Sequence, residues 1–303
     1  MENEIKKETI KEKDYSLIVS IVVVFTLIVA AAFYTMQLSK SDKEELLWHP
    51  ARFGGDNIIS LQNGVELKVK WGDMGVRMVE SGVIDKEKFE VLYSGRGGLS
   101  EADKKLLFGN DNGNLVITSE NSGMMLNMLW ALGLGNKNTI LETGEMMNPI
   151  YGGAGNFAST GGWTLSKGNA MDHYSMHQFF VLTDSQQTLV DKVSRGIYRP
   201  CCGNSTHFPD CNHGMAMLGL LELMASQGAS EEDMWNTALI VNSYWFSDVY
   251  SNLEIYMKNK GVAWQDVNPQ EILGINYSSS SGYQSILAQM EPQEQKGGAS
   301  CGT

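Results

Sequence analysis

The sequence predicts a mainly α protein, with an N-terminal transmembrane helix followed by a helical extracytoplasmic domain that carries a minor β-hairpin. Leu17 to Phe33 is a run of seventeen residues without charge and with little polarity, long enough to cross a bilayer. Beyond it, most apolar-periodic segments open on Ser, Thr, Asp or Asn in capping positions, which is the signature of helix starts. Strict alternation is clearest at Val65, Leu67 and Val69, interleaved with Glu66, Lys68 and Lys70 after Asn63-Gly64.

The expected organisation is a cytoplasmic tail over 1–14, an anchor over 15–36 and a stalk over 37–56. A globular domain over 57–291 and a flexible cysteine-bearing tail over 292–303 complete it. Lys6, Lys7, Lys11 and Lys13 precede the apolar run and only Lys40 and Lys43 follow closely, so the positive-inside bias places the N-terminus in the cytoplasm. The single helix makes the membrane the one expected partner. A net charge of -12 over 303 residues excludes a phosphate-neutralising face, so no nucleic-acid partner is expected.

Within the globular part, Ile58–Leu61 and Val65–Val69 read as the two arms of a hairpin. Met74–Ser81, Asp85–Tyr93 and Ser100–Phe108 read as short scaffold helices, and Asp111-Asn112-Gly113-Asn114 as a turn. Glu120–Leu134 is a helix whose Met124, Met125, Met128, Leu129 and Leu132 form a core stripe. A glycine-rich stretch over Gly144–Asn169 lacks both the P-loop ending and a dinucleotide fingerprint, and a pocket-lining role is expected. Thr183 with Gln186 opens a helix over Asp184–Tyr198. The helix after Cys211 is apolar all round apart from Glu222, hence buried. Ala229–Lys260 reads as two helices or one kinked one, and short helices follow at Asn268 and Ser285.

Chemistry concentrates between Cys201 and His213, where three of the four cysteines and two of the five histidines fall. Cys211 sits where a helix begins, with Asp210 placed to cap it, and unpaired backbone N–H groups there favour a thiolate. Upstream, His173 and His177 share a face whether the segment is helical or extended. Cys201, Cys202, His207, Cys211 and His213, with His173 and His177, are therefore the candidate metal ligands. Cys301 near the C-terminus is a further thiol that can reach them.

Thiolate and imidazole together suit zinc, and neighbouring Met171, Met176, Met215 and Met217 tilt a soft site towards copper. The adjacent Cys201-Cys202 pair departs from the usual zinc-knuckle spacing. Two other readings use the same residues. A thiol–disulfide enzyme would take Cys211 as nucleophile and Cys201 or Cys202 as resolving thiol, although no Cys-x-x-Cys is present. A stapled binding module would close a disulfide such as Cys202–Cys211.

Overall fold

The computed structural model describes residues 64–290. The tail, anchor, stalk, first hairpin arm and Cys301 expected from the sequence lie outside them. Among the described residues no helix is long and apolar enough to cross a membrane. The described chain is mainly helical with one small antiparallel sheet.

Strand β1 (Val65–Gly72) buries Leu67, Val69 and Trp71 and exposes Glu66, Lys68 and Lys70, as the alternation requires. Its described partner is β2 (Asn112–Ile117), antiparallel, with a bulge between Glu66 and Lys70. The expected turn at 111–114 is thus the start of a strand. Buried Asn112 explains the difference: its amide donates to the carbonyls of Gly72, Lys105 and Gly109, closing the preceding helix and the sheet together.

Three short helices lie between the strands: α1 (Met74–Ser81), α2 (Lys86–Ser94) and α3 (Glu101–Phe108). Asp85 caps α2 and a Ser100–Asp103 capping box opens α3. After β2 comes α4 (Ser122–Gly135), with all five residues of its Met/Leu stripe buried, followed by the short α5 (Thr139–Thr143).

The core is built where α4 packs on α7 (Asn212–Ser226), which is buried from Gly214 to Ala225. Each of its central leucines contributes about 1.5–3 kcal/mol by leaving water. At the crossing Gly133 faces Gly219 directly: a Cβ on Gly219 would meet the Gly133 nitrogen and the Leu129 carbonyl at 2.6 Å. Only glycines permit backbones this close. The far end of α7 is tied to the sheet by Gln227, whose amide exchanges two hydrogen bonds with the Lys70 main chain at 2.8 and 2.7 Å.

Helix α6 (Asp184–Gly196) opens on the expected Thr183–Gln186 box. The expected 229–260 helix is two helices, α8 (Glu231–Trp245) and α9 (Ser247–Asn259), broken at Phe246, whose φ of -131° and ψ of 50° leave the helical region. The chain then runs through α10 (Pro269–Ile272), α11 (Ile275–Ser278) and α12 (Ser280–Met290), the last beginning earlier than its sequence suggested.

His173 to Leu182 is neither helix nor regular strand. It is stitched to the end of α4 by main-chain bonds from Ser175 to Leu134 and from His177 to Gly135, with Lys137 returning one to His177. The glycine-rich stretch folds into short 3-10 turns.

Candidate metal centre

The loop joining α6 to α7 holds the cysteines. Its base is closed where Tyr198 bridges Ser205 and the Thr206 N–H donates to the Ile197 carbonyl. Tyr198 is fixed further by the Leu273 carbonyl and by Asn242, and the Cys202 carbonyl accepts from Ser280. From the other side Tyr151 and Phe157 pack on Phe208 while the Ser159 N–H donates to the Asp210 carbonyl. The glycine-rich stretch therefore buttresses this loop.

Cys211 is the N-cap residue of α7, and its side chain makes no capping bond. Asp210, expected to cap, is diverted: Oδ1 accepts from Arg199 Nη2 at 2.6 Å and Oδ2 from Asn204 Nδ2 at 2.9 Å. Arg199 is the residue the sequence reading missed, although a basic side chain next to a cysteine pair is the usual means of lowering a thiol pKa. Its guanidinium is 1% exposed and lies against Gly214, where a Cβ would come within 2.6 Å of Cζ. Nε donates to Cys211 Sγ at 3.2 Å, while Nη1 has no partner. Burial pulls this guanidinium's pKa down, but negative charge on Cys211, Cys202 and Asp210 outweighs it, so the group stays charged.

Cys201 Sγ lies 3.6 Å from Cys211 Sγ. Hydrogen bonds from Cys201 and Cys202, then from His213, and the positive charge of Arg199 hold the Cys211 thiol far below the ordinary range against the opposing effect of burial. Cys201 moves the other way, raised by its hydrogen bonds to Cys202 and Cys211 and then by burial. For Cys202 hydrogen bonding to Cys201 acts downward, but Cys211 and burial prevail and raise it. The result is one thiolate, Cys211, with protonated neighbours, the most accessible being Cys201.

A ring nitrogen of His213 lies within 4.8 Å of both Cys201 and Cys211 sulfurs. The ring is held against Phe246 at 4.4 Å and the edge of Trp245 at 5.7 Å, and its Nδ1 is buried without a partner. A second grouping, Cys202, Asp210 and Cys211, meets the same spacing.

The remaining candidate ligands are elsewhere. His207 Nε2 is 2.7 Å from Asp191 Oδ1, and Asp191 also holds Arg195. His207 forms part of a cavity of about 530 Å³ with Thr143, Glu145, Asn148 and Arg195, so part of the glycine-rich stretch does line a pocket. His173 and His177 sit at the C-terminal end of α4, whereas its N-terminal Ser122 accepts from the Trp245 that touches His213. The two clusters are thus separated by the length of α4, on the order of 20 Å at 1.5 Å per residue.

Two thiolates on a tetrahedral ion with 2.3 Å metal–sulfur bonds stand about 3.8 Å apart. The Cys201–Cys211 pair is close to that spacing, and it is also close enough to oxidise. Cys202, expected as a staple partner, has its sulfur near Asp210 Oδ1 at 3.8 Å and near the Asn204 carbonyl. No protein-family model, curated protein or solved structure matches the chain, so its reading rests on this geometry.

Proposed function

We propose that the chain is a metal-binding protein in which Cys201, Cys211 and His213 hold one zinc or copper ion, for metal handling or redox chemistry. The observation that supports it is the convergence of two sulfurs 3.6 Å apart and an imidazole on one point at the N-terminal end of α7. Charge favours zinc. The Arg199–Asp210 pair cancels, so two thiolates and a divalent ion give a neutral centre, whereas copper(I) leaves a net negative charge. A water molecule supplies the fourth position. The apolar run over 17–33 would carry this domain on the membrane, with the centre outside the cytoplasm.

The test is elemental analysis with a parallel free-thiol count on chain purified without a histidine tag or chelator. About one ion per chain, lost in Cys211→Ser and in His213→Gln, is the expected result. Metal-free chain whose Cys201 and Cys211 are readily and reversibly oxidised would replace this reading with thiol–disulfide enzymology, which the same sulfur pair supports. Metal-free chain with those two locked as a disulfide would leave a stapled binding module.

A further inference from the structure

We propose that His173 and His177 form a second metal site, separate from the cysteine centre, for a divalent ion of tetragonal preference such as copper(II). The two rings face each other with Nδ1 of His173 2.9 Å from Nε2 of His177. His173 Nε2 is 2.7 Å from the Lys167 carbonyl, which obliges that nitrogen to carry the proton and leaves the Nδ1 lone pair directed at His177. An imidazole whose far nitrogen is tied to a carbonyl is the usual state of a metal-bound histidine.

The nitrogen spacing selects among ions. With metal–nitrogen bonds of about 2.0–2.1 Å, two ligands at right angles stand about 2.9 Å apart, and two on a tetrahedral ion about 3.3 Å. The observed spacing is that of the hydrogen bond in the metal-free pair; turning both lone pairs toward a right-angled ion keeps it, whereas a tetrahedral ion requires the nitrogens to move apart. In the metal-free chain the His177 Nε2 proton bridges the gap. On binding that proton leaves Nε2 and the ring is protonated at Nδ1 instead, so the imidazole remains neutral.

Pre-organisation supports the assignment. Ser175, between the two histidines, is the one non-glycine residue with positive φ among the described residues, at 55°. Its N–H donates to the Leu134 carbonyl and that of His177 to the Gly135 carbonyl, both at 2.8 Å. This kinked stitch brings the two ring nitrogens into contact before any ion arrives, and strain of this kind is retained where a constellation must be held. His173 is buried at 7% exposure while His177 is only partly covered, which gives the ion a path in. Water completes the coordination.

The experiment is copper(II) titration of the full chain after its thiols have been alkylated, followed by electron paramagnetic resonance. One equivalent with a tetragonal signal and hyperfine coupling to two nitrogens is expected. His177→Gln should weaken binding by on the order of tenfold or more. His207→Gln, placed in the other cavity, should change nothing. A chain with Cys201, Cys202, Cys211 and Cys301 all replaced by serine gives the same readout without alkylation, and urea midpoints check that each variant is folded. Absence of a stoichiometric signal in both preparations, or a signal indifferent to His177→Gln, would overturn the proposal. Because the thiols are removed in every arm, neither outcome bears on the cysteine centre.

Discussion

Replacing Glu222 with glutamine should abolish a loss of stability between acid and neutral pH. Glu222 is fully buried in α7, with Oε2 accepting from Asn136 Nδ2 at 2.7 Å and Oε1 unpartnered. Burial raises its carboxyl well above the ordinary range, and the Asn136 hydrogen bond opposes this only in part. A raised acid contributes stability that is fully present below the unfolded range and is lost as pH climbs towards the folded value. The slope is about 1.4 kcal/mol for each pH unit climbed between the unfolded and the folded value. Glutamine keeps the shape and an acceptor for Asn136 but does not titrate. Urea unfolding of both proteins at pH 5 and pH 7 measures the difference directly. Wild type should lose stability at that slope relative to Glu222→Gln, and parallel pH profiles would refute the assignment of a protonated, buried Glu222.

Three further outcomes follow from the geometry. Gly214→Ala should press on the Arg199 guanidinium and move it off Cys211, raising the pH below which iodoacetamide alkylation of Cys211 falls away; mass mapping across a pH series gives the profile, and an unchanged profile contradicts the role given to Arg199. Gly133→Ala should cost about 1–3 kcal/mol by forcing α4 away from α7, read as a lower urea midpoint; an unaltered midpoint would mean the crossing can relax. Asp191 is held below the usual carboxylate range first by Arg195, then by His207, so its contribution is present above that range and fades as pH falls. Asp191→Asn should therefore destabilise the chain at pH 7 and make little difference at pH 3, a comparison the same urea assay supplies.

Local rules made much of this fold legible. Capping boxes at Ser100 and Thr183 and the caps at Asp85 and Ser230 marked helix starts within a residue or two, because each satisfies its own backbone within four residues. The all-apolar run after Cys211 gave a buried helix for the same reason: nothing outside it was needed to decide. What escaped depends on distant partners. The sheet joins 65–72 to 112–117 through an asparagine amide that reaches three carbonyls, and no local pattern signals that. Likewise the cysteine cluster was visible as composition, but its division into one thiolate and two thiols comes from hydrogen bonding among the three cysteines, helped by His213 and by Arg199, whose neighbour Gly214 reads in sequence as an ordinary helical glycine. His207 was grouped with the cysteines by proximity along the chain, yet the turn at Ser205 directs it to Asp191 on α6.

The contact of Gly133 with Gly219 bears on how this protein can change over time. Where helices meet through side chains, a substitution on one is absorbed by a compensating one on the other. Two residues without side chains offer no such exchange, so the alignment of α4 with α7 is inherited rather than negotiated. The loop at one end of that crossing and the histidine segment at the other are then free to vary in ligand type, since neither sets the frame on which it stands. A library that randomises 200–206 for altered ion preference, with 133 and 219 held as glycine, would vary the chemistry while leaving the scaffold in place.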